Sequence, residues 1–321
     1  MTGFTATDIA VTNGTKGALS GSGATYTIPV TPTAQGAVTA SVAANAAQDA
    51  ATNNNLASNT ASIIYDTVAP TVVVSTSSVS PTNISPITFL LTFSEPVNNL
   101  TAGALTVTNG TASNLLASGS QAYTVDVTPA GQGAVTLKVP ANAAQDDATN
   151  NNTASNTSSV TYDSVGATPT ITGPAGPLST SPFNVTINFS ESVTGLTADA
   201  FTVTNGTFGS LTGSGTGPYT LAIFPGADGT VTVKLPAASG AKDAADNDNV
   251  VSNTYSVAFS SPNPTCVVTA ASGAFNTSPI TFTISFSDPV TGLLASEVVV
   301  TNGSKGVLSG SGSTYTIPVT P

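Results

Sequence analysis

Residues 86–97 read PITFLLTFSEPV, and the first eight of them decide the fold class. Ile87, Phe89, Leu91 and Phe93 alternate with Thr88, Leu90 and Thr92. A period of two is the mark of a strand with one buried face. The alternation returns at Tyr123, Val125 and Val127, then at Val135, Leu137 and Val139, and again at Val160 and Tyr162. Gly, Pro, Asn, Ser and Thr interrupt every longer stretch, so no segment holds a capped helical period.

Outward from this stretch the chain repeats itself. FSEPV (Phe93–Val97) returns as FSESV (Phe189–Val193) and FSDPV (Phe286–Val290). VTNGT occurs at Val11–Thr15, Val107–Thr111 and Val203–Thr207, with VTNGS at Val300–Ser304. QDAATNNN (Gln48–Asn55), QDDATNNN (Gln145–Asn152) and KDAADNDN (Lys242–Asn249) follow the same spacing of about 96 residues. That period is the size of a domain and too long for a solenoid turn. Proline-bearing linkers punctuate it: YDTVAPT (Tyr65–Thr71), YDSVGATPT (Tyr162–Thr170) and FSSPNPT (Phe259–Thr265).

Within residues 67–163 seven strands are expected. They are A near 71–75, B near 86–94, C near 104–108, D near 111–117, E near 121–128, F near 133–140 and G near 156–162. Seven short strands in one repeat is the arithmetic of an immunoglobulin-like sandwich. The fold class is all-β, with tandem immunoglobulin-like β-sandwich domains of about 96 residues each. The expected divisions are a partial repeat over 1–66 lacking its first strands, full repeats over 67–163 and 164–260, and a partial repeat over 261–321 lacking its last strands. The chain therefore reads as a piece of a longer tandem array. Two outcomes are open for the partial ends: frayed strand edges, or head-to-tail pairing between two chains. The Asn-Gly of each TNGT lies between C and D and predicts a hairpin, which also accounts for the N-G-[ST] sequons at Asn13, Asn109, Asn205 and Asn302.

Composition removes several kinds of function. The 321 residues carry 16 acids, 5 bases (all lysine), one cysteine and no histidine or tryptophan. A Ser-His-Asp or Cys-His arrangement has no histidine to use, and a zinc site has too few ligands. A net charge of −11 without arginine opposes nucleic-acid binding. No apolar run is long enough for a membrane span, and the first residues lack the features of a signal peptide. Cys266 opens a strand-A equivalent and is expected to be a small buried hydrophobe.

SEPV followed by VTNG, YTV, GAVTLKVPA and QDDATNN resembles the bacterial Ig-like domain family. The resemblance covers the whole chain. It implies a stalk or spacer in a large surface or secreted adhesin, extracellular or at the cell surface, with any export signal outside this stretch. It also implies no catalysis. The family's loop often reads D-x-A-G-N. Here Thr52, Thr149 and Asp246 stand where the glycine would be, which puts a glycine-dependent turn in doubt.

Sandwich topology sends the B–C, D–E and F–G loops to the pole where the preceding linker arrives. At the first full seam this gathers Asp66, Glu95, Asp146, Asp147 and Asn150; at the next it gathers Asp163, Glu191, Asp199, Asp243, Asp246 and Asp248. Calcium takes six to eight oxygens and needs no nitrogen or sulfur, so calcium at the seams is one reading. The other is a solvated polar pole whose Asp and Asn residues bond their own backbone. The third linker has Ser260 where the others have Asp66 and Asp163, one ligand fewer. The partners expected are neighbouring repeats of the same chain, with a host, surface or polysaccharide ligand left open. A rival function is a carbohydrate- or partner-binding module of a secreted enzyme, which would need an aromatic platform that a tryptophan-free chain does not display. Carboxylate pairs could serve a glycosidase, but acids that recur in every repeat suit a scaffold better than one active site.

Overall fold

The computed structural model describes residues 3–261, 263–274 and 276–321. Pro262 of the third linker lies outside the described residues. Two compact units divide the chain, Met1–Ser164 and Val165–Pro321.

The first unit opens with β1 (Ile9–Thr12), β2 (Gly14–Lys16), β3 (Ser20–Ser22), β4 (Thr25–Thr27), β5 (Val30–Pro32), β6 (Gly36–Val42) and β7 (Ala61–Tyr65). Strands β1, β6 and β7 form one antiparallel sheet in the order β1-β6-β7, while β2 pairs with β5 and β3 with β4. A complete sandwich follows: β8 (Val72–Ser75), β9 (Ile87–Phe93), β10 (Thr106–Thr108), β11 (Gly110–Ala117), β12 (Ala122–Pro129), β13 (Gly133–Lys138) and β14 (Ser158–Tyr162). These are the expected strands A to G. One sheet has the order β11-β12-β9-β8 and the other β10-β13-β14.

The alternation in the sequence becomes the two faces of β9: Ile87, Phe89, Leu91 and Phe93 are buried. They meet Val125, Val127, Val135, Leu137 and Val160 from the other strands in one core. Each such side chain contributes roughly 1.5–3 kcal/mol on burial.

The second unit repeats the sandwich with β15 (Pro169–Thr172), β16 (Phe183–Phe189), β17 (Thr202–Thr204), β18 (Gly206–Thr212), β19 (Tyr219–Pro225), β20 (Gly229–Lys234) and β21 (Tyr255–Phe259). Its sheets run β15-β16-β19-β18 and β17-β20-β21. A four-stranded sheet follows, built from β22 (Cys266–Ala270), β23 (Ile280–Val290), β24 (Ser304–Lys305) and β25 (Ser309–Thr320) in the order β22-β23-β25-β24.

Two expectations need correction. The Asn-Gly between C and D is not a hairpin turn, because β10 pairs with β13 and β11 pairs with β12. It is the corner where the chain leaves one sheet for the other. Asn109 takes the left-handed conformation (φ 55°), and its Nδ2 donates to the Gly131 carbonyl at 2.9 Å. Asn13 and Asn205 repeat that bond to Ala34 and Ala227. Gly110 serves close approach rather than positive φ. A Cβ there would lie 2.7 Å from Val127 Cγ1 and 2.9 Å from the Thr128 carbonyl. Cys266 is exposed, not buried. Its strand belongs to the four-stranded sheet, which among the described residues has no three-stranded sheet accompanying it as the full repeats do.

Candidate acidic site at the first full seam

Glu95 stands two residues after the end of β9, and its loop is fixed on both sides. Ser94 N donates to the Thr71 carbonyl (2.9 Å), and Thr71 N donates back to Ser94 Oγ (3.0 Å). Beyond it, Val97 is buried and its carbonyl accepts the Tyr123 phenol at 2.9 Å. The Tyr123 ring meets Phe93 edge-on, with centroids 5.9 Å apart. Tyr219 with Phe189 and Tyr315 with Phe286 repeat this geometry. The recurring Phe of FSEPV and the recurring Tyr are therefore partners across the sheet.

Asp146 comes from the loop before β14. Asn98 N donates to the Gln145 carbonyl (2.6 Å) and Gln145 N to the Asn98 carbonyl (3.1 Å), so the two loops are stitched together. The Asp146 side chain is only 5% exposed. Its Oδ1 accepts Asn150 N (2.8 Å) and its Oδ2 accepts Asn150 Nδ2 (2.9 Å). The loop thus bonds its own backbone. Thr149 holds the left-handed position of this turn at φ 68°, with Thr52 at 66° and Asp246 at 68° in the sister loops. The turn keeps its shape without the glycine.

Asp66 arrives on the linker. Its Oδ1 accepts Val68 N (2.9 Å), and its carbonyl accepts Asn150 Nδ2 (3.2 Å). One oxygen each from Asp66, Glu95 and Asp146 lies within 4.8 Å of the others. They line a cavity of about 310 Å³ together with Ile64, Pro96, Asp147 and Ala148. At such a spacing each pair of charges repels by roughly 1 kcal/mol in water, and by roughly 3–4 kcal/mol at an effective dielectric of about 20. Desolvation first, then Asp66 and Asp146, hold the Glu95 carboxyl above its ordinary range. A divalent cation would remove that repulsion, with three carboxylates supplying part of a six-to-eight-oxygen shell.

The remaining residues named from the sequence do other things. Asp147 accepts Asn98 Nδ2 at 2.7 Å, and Asn150 acts through its amide donors as a clamp on Asp66 and Asp146. Asp163 closes the first unit, its N donating to the Thr82 carbonyl at 2.9 Å. In the second unit Glu191 follows β16, and buried Asp243 repeats the Asp146 turn with Ala245 N (2.8 Å), Asn247 N (2.9 Å) and Asn247 Nδ2 (2.9 Å). Asp199 sits exposed in the 3-10 turn Ala198–Ala200. Asp246 and Asp248 pair with Lys242 at 3.4 and 3.2 Å. These contacts, Asp248 foremost, raise the Lys242 amine. Lysine replaces the glutamine of the sister loops here, so the second unit carries its own counter-ion.

Sequence reasoning missed three sets of residues. Asn156 lays its amide along the edge strand β8, with Val74 N donating to Oδ1 and Nδ2 donating to the Val74 carbonyl, both at 2.9 Å. Asn253 does the same to Ile171. Asn152, 2% exposed, bridges Ala144 N, the Pro140 carbonyl and the Thr153 carbonyl. Gln35 bonds Thr67, Gln132 bonds Ser164, and Asp228 bonds Ser261, so the turn before the sixth strand of each repeat holds the start of the following linker. The signals were present in the recurring SNT, in the third Asn of NNN, and in the residue before each GAV or GTV run.

The model of a family described as bacterial Ig-like domain matches residues 1–65, 66–164 and 165–259. The chain belongs to the bacterial Ig-like domain family. No curated protein matches its sequence. Among solved structures it aligns with Yersinia pseudotuberculosis InvD at 14% identity and a TM-score of 0.31, covering 68% of this chain and 69% of that one. It aligns with invasin, described as a bacterial integrin-binding protein, at 17% identity and a TM-score of 0.34, covering 79% of this chain and 54% of that one. It aligns with the I9–I11 tandem of titin at 11% identity and a TM-score of 0.26, covering 74% of this chain and 84% of that one. The chain spans little more than half of the invasin chain, and likenesses this distant add nothing to the family assignment. Among the described residues no helix of this Ig-like chain is long and apolar enough to cross a membrane.

Proposed function

We propose that this segment is a stalk or spacer of a bacterial surface or secreted adhesin-type protein, and that calcium at Asp66, Glu95 and Asp146 stiffens the junction between its first two repeats. The observation that carries the spacer reading is the recurrent linker anchor. Gln35, Gln132 and Asp228 each tie the outgoing linker to the repeat it leaves, which limits the swing of the chain between repeats. The chemistry of the acidic cluster supports the calcium reading: hard oxygen donors, a raised Glu95, and no lysine or arginine among the residues lining the cavity.

The test is a thermal melt of the whole chain with calcium, with magnesium and with chelator, beside Glu95→Gln. A calcium-specific rise of several degrees that Glu95→Gln abolishes supports the cation. Identical melts remove it and leave a spacer held by packing and the linker anchors alone. Adhesion of cells displaying the segment tests the wider reading, with an array of equal length but unrelated sequence as the control.

A further inference from the structure

We propose that each full repeat carries tension along the chain through a clamp between the segment that enters it and the segment that leaves it. In the first full repeat the chain enters along 70–82, which contains β8, and leaves along 153–163, which contains β14. The two segments are cross-linked along their length. Thr153 N donates to the Pro70 carbonyl (2.9 Å), and Asn156 holds Val74 by its pair of 2.9 Å bonds. Thr161 N then donates to Ser80 Oγ (3.0 Å), Thr82 N to the Thr161 carbonyl (3.0 Å), and Asp163 N to the Thr82 carbonyl (2.9 Å). Residue numbers rise together on both sides of this ladder, so the segments run in the same direction. The bridge from Thr82 to Tyr162 is accordingly parallel, whereas β8 and β14 pair antiparallel with their sheet neighbours. The second full repeat builds the same ladder between 167–178 and 250–260. Val250 N donates to the Ala167 carbonyl (3.0 Å), Asn253 holds Ile171 at 2.8 and 2.9 Å, and the Tyr255 phenol donates to the Pro174 carbonyl (2.7 Å). Leu178 N donates to the Ala258 carbonyl (2.8 Å) and Ser260 N to the Leu178 carbonyl (2.9 Å), with a parallel bridge from Leu178 to Phe259. The middle of the ladder is filled by different side chains, Ser80 on the incoming segment and Tyr255 on the outgoing one, while the parallel register is kept.

Tension on the chain pulls the start of the incoming segment backward and the end of the outgoing segment forward. On two parallel segments these pulls are opposed along one axis. The cross-links are then loaded together in shear, and none opens ahead of the rest as in a hairpin pulled apart at its ends. Force passes straight from one segment to the other, so the remaining strands and the apolar core are shielded from it. Resistance to pulling follows the unfolding barrier rather than the equilibrium stability. That barrier is raised by contacts that are already broken in the transition state, and under tension the ladder is the contact that breaks first. The source of the tension rests on the spacer reading; the clamp itself does not.

The experiment is single-molecule pulling of the full chain by tags at its two ends. The wild type is expected to give two force peaks for the two full repeats, each releasing roughly 300 Å of chain at about 3.3–3.6 Å per residue. Both peaks stand above those of a variant carrying Asn156→Ala and Asn253→Ala. Val125→Ala and Leu221→Ala, which remove buried side chains away from the ladder, are the comparison, with urea melts to show folding and to match stability. At a matched loss of urea midpoint the asparagine variants lose more peak force than the core variants. Ser80→Ala and Tyr255→Phe each delete one hydroxyl of the ladder and give the same ordering should the asparagine variants fail to fold. Equal losses at matched midpoints overturn the proposal, and so does a wild type that extends without force peaks. Adhesion of cells displaying the segment reports on the spacer reading separately. Peaks without adhesion support the clamp and remove the stalk, and adhesion without peaks removes the clamp alone.

Discussion

The phenol of Tyr123 donates to the carbonyl of Val97, two residues beyond Glu95, at 2.9 Å. Strand β12 thereby sets the height of the loop that carries the carboxylate. The same bond recurs from Tyr315 to Val290 at 2.9 Å and from Tyr219 to Val193 at 3.3 Å. Removing the hydroxyl with Tyr123→Phe leaves a carbonyl beside a buried residue without its donor. The expected cost is about 1–3 kcal/mol, read as a lower urea midpoint. An unchanged midpoint would show that solvent takes over the Val97 carbonyl and that the bond does not position the loop.

Thr149 carries a β-branched side chain at φ 68°. Left-handed backbone costs a residue with a Cβ roughly 1–2 kcal/mol and glycine almost nothing. Thr149→Gly is therefore expected to stabilise residues 67–163 by about 1 kcal/mol, less a few tenths for the greater freedom of the unfolded glycine. A lowered melting temperature would mean that the threonine makes compensating contacts that outweigh the strain.

Asn156 supplies both a donor and an acceptor to Val74 on an edge strand. Asn156→Ala removes both and is expected to cost about 2–3 kcal/mol. Amide exchange at Val74 should accelerate by more than global destabilisation accounts for, because β8 loses its attachment to the segment entering β14. Exchange that follows global stability alone would show that β9 secures β8 without help.

Glu95 binds its proton more tightly in the folded chain than in the unfolded one, since its carboxyl lies above the ordinary 4.5. Without added cation it costs stability at neutral pH, and that cost disappears as the pH falls through the raised folded value toward 4.5. The expected result is a melting temperature that gains on mild acidification in chelator, relative to Glu95→Gln. With calcium in excess the sign reverses, because protons then compete with the ion. Parallel profiles for the two proteins in chelator would show that the repulsion from Asp66 and Asp146 is screened away.

The period-two alternation at Ile87–Phe93 and the register of about 96 residues were enough to place the strands and the repeats. Alternation reports burial directly, and a repeat shows the same answer several times. The sheet-switching role of Asn109 and Gly110 was not legible in the same way. An Asn-Gly pair permits left-handed backbone wherever it occurs, and only the pairing of β11 with β12 decides whether a hairpin or a corner results. The clamp of Asn156 on Val74, 82 residues apart, was hidden for a related reason. A side-chain amide has no periodicity, so its partner appears only when the chain closes.

Composition and repetition by themselves determined that this chain is a series of all-β repeats without histidine-based chemistry, because residue counts and spacing need no folding to be read. Tertiary structure alone decided which acids stand together. Asp66, Glu95 and Asp146 converge, whereas Asp147 turns to Asn98, and Asp246 and Asp248 turn to Lys242. Carboxylates interact through distances of a few ångströms, and those distances are set by how three loops from separate strands meet at one pole.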